Sequence, residues 1–297
     1  MRVACIGEAM VELSLDAAPS NAARLGFAGD VLNTAIYLKR SAPDLQVDFV
    51  TCVGRDAFSD RMVEFIASET VGTEAIGRSD TRNVGLYAIT TDENGERSFT
   101  YWRDTSAART LFEGRDGPDF TVLEDYDVVY LSAITLAILS PEVREALMDW
   151  LEGFRARGGL VSFDSNYRPR LWPDAETARA AIERMWKTCD IALPSVDDEM
   201  AIFGDAEADA VAARLKGWKV RDGALKCGAG GPVSLGDPVD AKYPPAAKVV
   251  DTTAAGDSFN GGYLSAALAN RGQDVALRAG HDLAAMVVGV KGAIAPR

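Results

Sequence analysis

The stretch Val250-Asp251-Thr252-Thr253-Ala254-Ala255-Gly256-Asp257-Ser258-Phe259-Asn260-Gly261-Gly262 holds the densest chemistry in the chain. The Val249-Val250 pair before Asp251 reads as the end of a short strand. After Gly256 the pattern turns helical, with Phe259, Tyr263 and Ala267 on one stripe and Leu264 and Leu268 beside it. The small residues therefore stand at a helix N-terminus, where the first N–H groups lack intrahelical partners and the dipole favours negative charge. Small side chains let an anion approach those N–H groups. Asp257 lies in the first turn, beside any anion held there. Two readings stay open on this pattern. One is an ordinary acidic first turn that complements the dipole. The other is a phosphoryl-transfer site, with amides on the phosphate and a carboxylate taking the proton of an attacking hydroxyl.

Working outward, the 297 residues suffice for one large α/β domain or two ordinary ones, and 47% hydrophobic content supports a substantial core. A net charge of −13 argues against nonspecific nucleic-acid binding, which needs clustered Lys and Arg. It does not exclude anionic substrates, because local fields outweigh the total. Cys5, Cys52, Cys189 and Cys227 are far apart and lie in or near apolar runs, as expected of reduced thiols in a cytoplasmic protein. No CxxC or Cys/His spacing points to a metal. The N-terminus enters a strand at once, so a signal peptide is not expected, and no apolar run reaches membrane-spanning length.

From residue 121 the chain alternates strands and helices. Strands are expected at Tyr126 to Ser132, Leu160 to Asp164 and Asp190 to Leu193, and helices at Pro141 to Arg157, 174–188 and Leu277 to Ile294. Such alternation predicts a largely parallel sheet with helices on both faces and ligands at the carboxyl ends of its strands. Arg2 to Gly7 is a further buried strand, without the dinucleotide G-x-G-x-x-G and with no Walker A string in the chain. Asn83 to Arg103 reads as a hairpin turning at Asp92-Glu93-Asn94-Gly95. Alternation places Phe99, Tyr101 and Arg103 on one face and Thr100 and Trp102 on the other. With weak strands near 11–15 and 23–27 the hairpin would complete a small sheet. His281, the only histidine, falls on the last helix, at its surface or at a ligand's edge.

Asp251-Thr252-Thr253-Ala254-Ala255-Gly256-Asp257-Ser258-Phe259 closely resembles the C-terminal signature of the PfkB/ribokinase family of sugar kinases. The resemblance implies that Asp257 is the catalytic base and that the Ala254, Ala255, Gly256 and Asp257 amides form an anion hole. Gly29-Asp30-Val31-Leu32-Asn33 resembles the family's N-terminal signature, with Ala28 where a first Gly is usual, and implies that Gly29, Asp30 and Asn33 contact sugar hydroxyls. Lys226-Cys227-Gly228-Ala229-Gly230-Gly231 resembles the family's nucleotide segment. Lys226 would then face ATP phosphates, with a strand-end lysine and a tight Gly turn as the alternative. The fold so implied is ribokinase-like α/β: one domain over residues 1–297, a central mostly parallel sheet flanked by helices, and a small inserted β-sheet lid from about 10–29 and 83–105. Lid faces commonly pair in this family, so a homo-oligomer through the lid is expected. Trp102 is read equally as such a contact or as core.

Within the family, Gly85-x-Tyr87, Tyr101-x-Arg103 and Asp164-x-Asn166-x-Arg168-x-x-Leu171-Trp172 look like 2-keto-3-deoxygluconate kinases. That resemblance implies that the sugar acid lies against Gly29, Tyr87, Tyr101, Arg103, Arg168 and Asp257, and Asn166 is a further candidate for substrate binding. ATP would lie along Ser195, Lys226, Gly228, Gly230, Gly231 and the 254–256 turn. A guanidinium suits a carboxylate substrate, yet Arg168 would equally suit the transferring phosphate. Mg²⁺ is expected on phosphates and water with no protein ligand named, and the resemblance implies that Asp251 orders either the anion-hole turn or a nearby monovalent cation. Competing readings are a fructokinase or other sugar kinase of the family, a nucleoside kinase, a sugar-acid-binding regulator on an inactive scaffold, and a nicotinamide enzyme.

Overall fold

A computed structural model describes residues 1–15, 22–91 and 97–297; the expected turn at 92–95 lies outside them. The strands in chain order are β1 (Arg2–Ile6), β2 (Met10–Leu15), β3 (Ala23–Ala28), β4 (Gln46–Val53), β5 (Ile76–Arg78), β6 (Gly85–Thr91), β7 (Arg97–Trp102), β8 (Glu113–Gly114), β9 (Gly117–Pro118), β10 (Val128–Ser132), β11 (Leu160–Asp164), β12 (Ile191–Ala192), β13 (Ala224–Lys226) and β14 (Pro232–Ser234). The helices are α1 (Asp30–Ser41), α2 (Ala57–Ser68), α3 (Ala133–Ile138), α4 (Pro141–Ala156), α5 (Ala175–Thr188), α6 (Val196–Phe203), α7 (Ala208–Gly217), α8 (Ala255–Ala267) and α9 (Gln273–Val287).

Six strands form the main sheet in the order β12-β11-β10-β1-β4-β5, and every pairing is parallel. Side chains alternate across it. Ala4 and Ile6, with Val129 and Leu131, join the core under α4 and α5. Val3 and Cys5, with Val128 and Tyr130, join the core under α1, α8 and α9. Covering both faces explains why β1 and β10 are apolar almost throughout rather than alternating. Single bridges from Ala192 to Gly223 and from Ser195 to Lys226 carry β13 alongside β12.

A second sheet of four strands, β3-β2-β6-β7, stands apart from the first. Its register pairs Glu12 with Tyr87 and Tyr87 with Tyr101. Tyr87 packs its ring 5.7 Å from Tyr101 and 6.4 Å from Phe99, so the aromatic face expected from alternation is present. Trp102 is 59% exposed, so it is not core.

Three local expectations change. Val249 and Val250 form no strand; they are 62% and 46% exposed, and the Val250 N–H donates to Val288 O at 2.8 Å. The last helix ends at Val287, because the chain turns through Gly289 and Gly292 instead of continuing to Ile294. Helix α3 was not anticipated, since all six of its residues are buried and leave no polar face to mark a period.

The tightest packing in the larger core includes Phe163 and Trp186, whose rings meet edge to face at 4.7 Å with at most 1% exposure. Trp186→Ala is expected to destabilise the fold by about 3–5 kcal/mol. The measurement is the urea midpoint at unchanged slope; a loss under about 1 kcal/mol would mean that this helix packs loosely on the sheet.

Candidate active site

The main strands deliver polar side chains to one edge, the carboxyl ends of β1, β10, β11 and β13. Two helix N-termini face the same edge. At α1, Gly29 is the N-cap in an extended conformation, and its lack of a side chain matters for space. A Cβ there would sit 2.1 Å from Glu8 O. The Gly29 N–H points to Asn33 Oδ1 at 3.5 Å, and Asn33 Nδ2 donates to Asp257 Oδ2 at 2.8 Å. Asp30 Oδ2 accepts from Ser132 Oγ at 2.5 Å and from Asn166 Nδ2 at 2.8 Å. Thr34 Oγ1 lies 3.1 Å from Asp257 O, tying α1 to α8.

At α8 the N-cap is Ala254, held at φ 60° with no side-chain cap. A left-handed alanine is strained backbone, which persists where surrounding structure over-determines it. Asp251 supplies that constraint: its Oδ1 accepts from Thr253 N at 3.0 Å and its Oδ2 from Gly292 N at 2.7 Å. The anion-hole expectation narrows here. The Ala255 N–H donates to Thr252 O at 3.2 Å, whereas Gly256 and Asp257 occupy the next helical positions, whose N–H groups have no carbonyl within the helix.

Lys226 differs from its expected place on ATP phosphates. It is 9% exposed and donates to Asp164 Oδ2 at 2.8 Å and Asn260 Oδ1 at 3.1 Å. Asn260 Nδ2 closes the group on Asp164 Oδ2 at 2.6 Å and on the Tyr130 hydroxyl at 3.0 Å. The Lys226 ammonium still borders the turn: a Cβ on Gly256 would lie 3.7 Å from Nζ. Asp257 thus shares its surroundings with Asp30 and Asp164. Loss of water on burial raises its pKa most and the Asp30 charge raises it next; the Asn33 hydrogen bond opposes them, Asp164 adds to the rise, and Lys226 resists it. The outcome is a carboxyl pushed up to about 8.

The remaining expected residues fall into three groups. On the small sheet, the Tyr87 hydroxyl donates to Glu12, and Tyr101 is 46% exposed beside it. Asp257 lies within electrostatic reach of Tyr87. Arg103 is not a free cation: its Nε donates to Glu8 Oε2 at 2.9 Å and its Nη2 reaches the same oxygen. Arg168 stays half-exposed, with Nη1 2.8 Å from Tyr167 O and 3.5 Å from Asp198 Oδ1. Burial lifts the Asp198 carboxyl to about 6 against the pull of Arg168. Ser195 caps α6, and Gly228, Gly230 and Gly231 form the turn between β13 and β14, with Ser195 bridged to Lys226. His281 is buried, not at the surface, with Nε2 2.8 Å from Pro244 O and its ring against Tyr243.

Sequence reasoning missed Glu8 and Asn260 as members of this edge, and it placed Asp164 to Arg168 and Ser195 to Glu199 there without a role for Asp164 or Asp198. Asn260 had a signal, lying one helical turn beyond Asp257; Glu8 had none, its partner being 95 positions away.

The family model described as "pfkB family carbohydrate kinase" matches residues 1–297. The chain belongs to the pfkB family of carbohydrate kinases. Its relatives include the 2-dehydro-3-deoxygluconokinase of Dickeya dadantii (strain 3937), 43% identical over 302 residues that cover 99% of this chain and 96% of that protein. The enzyme of the same name from Haemophilus influenzae is 36% identical over 99% of this chain and 95% of its own. A solved fructokinase with bound ATP from Xylella fastidiosa shares the fold at TM-score 0.82 and 24% identity, over 98% of this chain and 93% of that one.

For this kinase the Lys226 pair yields a direct test. Lys226→Met would leave Asp164 buried and unpaired, at a cost of about 3–5 kcal/mol. Chemical denaturation should show that loss, with much of it restored by adding Asp164→Asn. Unchanged stability with weakened ATP binding would return Lys226 to the phosphates.

Proposed function

We propose that this kinase transfers the γ-phosphoryl group of ATP to the C6 hydroxyl of 2-keto-3-deoxygluconate, giving the 6-phosphate. The observation that carries the reading is Asp257, held by Asn33 at the N-terminus of α8 with its pKa raised toward neutrality. Such a carboxylate is matched to proton abstraction near pH 7. The hydroxyl, deprotonated by Asp257, attacks the γ-phosphorus in line, and the ADP oxygen leaves. The Gly256 and Asp257 N–H groups and the α8 dipole meet the charge that develops. Asp30, Asn33 and Asn166 bind sugar hydroxyls; Tyr87 and Tyr101 cover the sugar; Arg168 stands at the charged end of the substrates. ATP lies along Ser195, the Gly228–Gly231 turn and the 254–256 turn. Full-length relatives named 2-dehydro-3-deoxygluconokinase support the choice of sugar acid.

Mg²⁺ enters with ATP, held by phosphate oxygens and water. Among the described residues no group of three or more His, Cys, Asp or Glu side chains is placed to hold a metal ion. A monovalent cation beside Asp251 would add charge to the turn that this carboxylate already orders.

The reading takes residues 1–297 as one kinase domain, with 10–29 and 83–105 forming a lid that excludes water on closing. Trp102, 59% exposed on the face opposite Phe99 and Tyr101, gives that lid an apolar contact on which a second copy of the chain would pair. The four free cysteines and the need for ATP support a cytoplasmic enzyme in this reading. Among the described residues no helix is long and apolar enough to cross a membrane.

One observation favours a second reading, a kinase of neutral sugars such as fructose: Glu8 already offsets the charge of Arg103. Coupled ADP release with Mg-ATP and 2-keto-3-deoxygluconate, fructose, ribose or adenosine separates the two. Turnover is expected on the keto-deoxy acid, with Asp257→Asn lowering kcat by about 10²–10⁴-fold while ATP still binds. Preference for fructose would replace the substrate while leaving the base in place.

A further inference from the structure

Glu8 follows β1 in the connection that leaves the main sheet for β2, and Arg103 directly follows β7 where the chain returns. Their ion pair therefore sits at the root of the small sheet. It is deeply buried, with Glu8 at 1% and Arg103 at 8% exposure. One oxygen, Glu8 Oε2, receives both Arg103 Nε and Nη2. The other, Oε1, is buried with no hydrogen-bond partner among the described residues.

A buried pair with an unsatisfied oxygen is a poor device for stability, since apolar residues of the same volume serve as well. Its geometry serves orientation better. A guanidinium has five N–H donors in a rigid fork, and Glu8 takes two of them. The guanidinium plane is fixed, and among the described residues only Nε and Nη2 are engaged, so the end carrying Nη1 is left for another acceptor. The surroundings keep the space for this arrangement. A Cβ on Gly85 would lie 2.8 Å from Glu8 Oε1 and 3.2 Å from Arg103 Cβ. The Glu8 backbone packs on Gly29, whose N–H points to Asn33, which in turn holds Asp257. The pair is thus joined by contacts to the base.

We infer that Glu8 is a positioning residue: through its buried pair it aims the free end of Arg103 at the carboxylate of the sugar acid. Glu8 also offsets the Arg103 charge, so an anion without the matching geometry gains little there and selection rests on the bidentate fit. This inference rests on the sugar-acid reading above.

The test compares wild type, Glu8→Gln, Arg103→Met and the double variant, with 2-keto-3-deoxygluconate and fructose at saturating Mg-ATP. Glu8→Gln keeps the shape and one acceptor but loses the charge that fixes the guanidinium. It is expected to raise KM for the sugar acid roughly tenfold, about 1.4 kcal/mol, with kcat and the KM for ATP changed little. The effect should vanish in the Arg103→Met background, because Glu8 acts only through Arg103. Arg103→Met alone strands a buried carboxylate, so the double variant serves as its folded counterpart. Glu8→Asp should recover part of the sugar-acid KM. Glu8→Gln that lowers the melting temperature but leaves KM and the acid-to-fructose ratio unchanged would overturn the inference, as would effects that simply add. A wild type silent on the sugar acid but active on fructose would remove the substrate reading, and this inference with it.

Discussion

Three carboxylates, those of Asp30, Asp164 and Asp257, stand around one buried ammonium, that of Lys226. They cannot all be ionised at equal ease where water is scarce. Asp164 holds Lys226 and Asn260 and so is matched charge for charge. Asp30 is served by Ser132 and Asn166. Among the described residues Asp257 has Asn33 as its one side-chain hydrogen-bond partner, so the surplus negative charge is felt most at the residue nearest the open α8 N-terminus. The same crowding that raises its proton affinity makes it a base suited to neutral pH. A helix terminus beside it offers the complementary partial charge for a transferring phosphate.

The fold brings this group together by topology. Strands that end at one edge carry the cluster and its support at their last residues: Ser132 in β10, Asp164 in β11, Lys226 in β13. Helices α1 and α8 pack side by side there, with Thr34 bonded to the Asp257 carbonyl, so Asn33 and Asp257 cannot drift apart independently. The small sheet is anchored to that edge through Glu8 and Arg103, and its Tyr87 feels the Asp257 charge.

What could be read in the sequence was local. The strand–helix alternation, the small sheet and the Gly29-Asp30 and Ala255-Gly256-Asp257 turns all follow from short-range pattern, and each is where it was expected. What could not be read was pairing at a distance. Lys226 looks like a strand-end cation until Asp164, 62 positions earlier, is brought against it. Arg103 looks like a free ligand for an anion until Glu8 is seen beneath it. Local pattern also failed where burial was uniform, as in α3, and where apolar residues were exposed, as at Val249 and Val250, because hydrophobicity there does not report a packed face.

The pH dependence of kcat/KM for 2-keto-3-deoxygluconate, in wild type and in Asp30→Asn, tests the charge cluster most directly. The base must be ionised to act, so activity should fall as pH drops through its raised pKa, and kcat/KM reports the free enzyme. The acid limb should lie well above the ordinary carboxylate range, toward about 8, because burial and the Asp30 charge hold the Asp257 proton. Removing the Asp30 charge should move that limb to lower pH, whatever it does to the absolute rate. An acid limb near pH 4 in wild type, or one that Asp30→Asn leaves in place, would contradict the account.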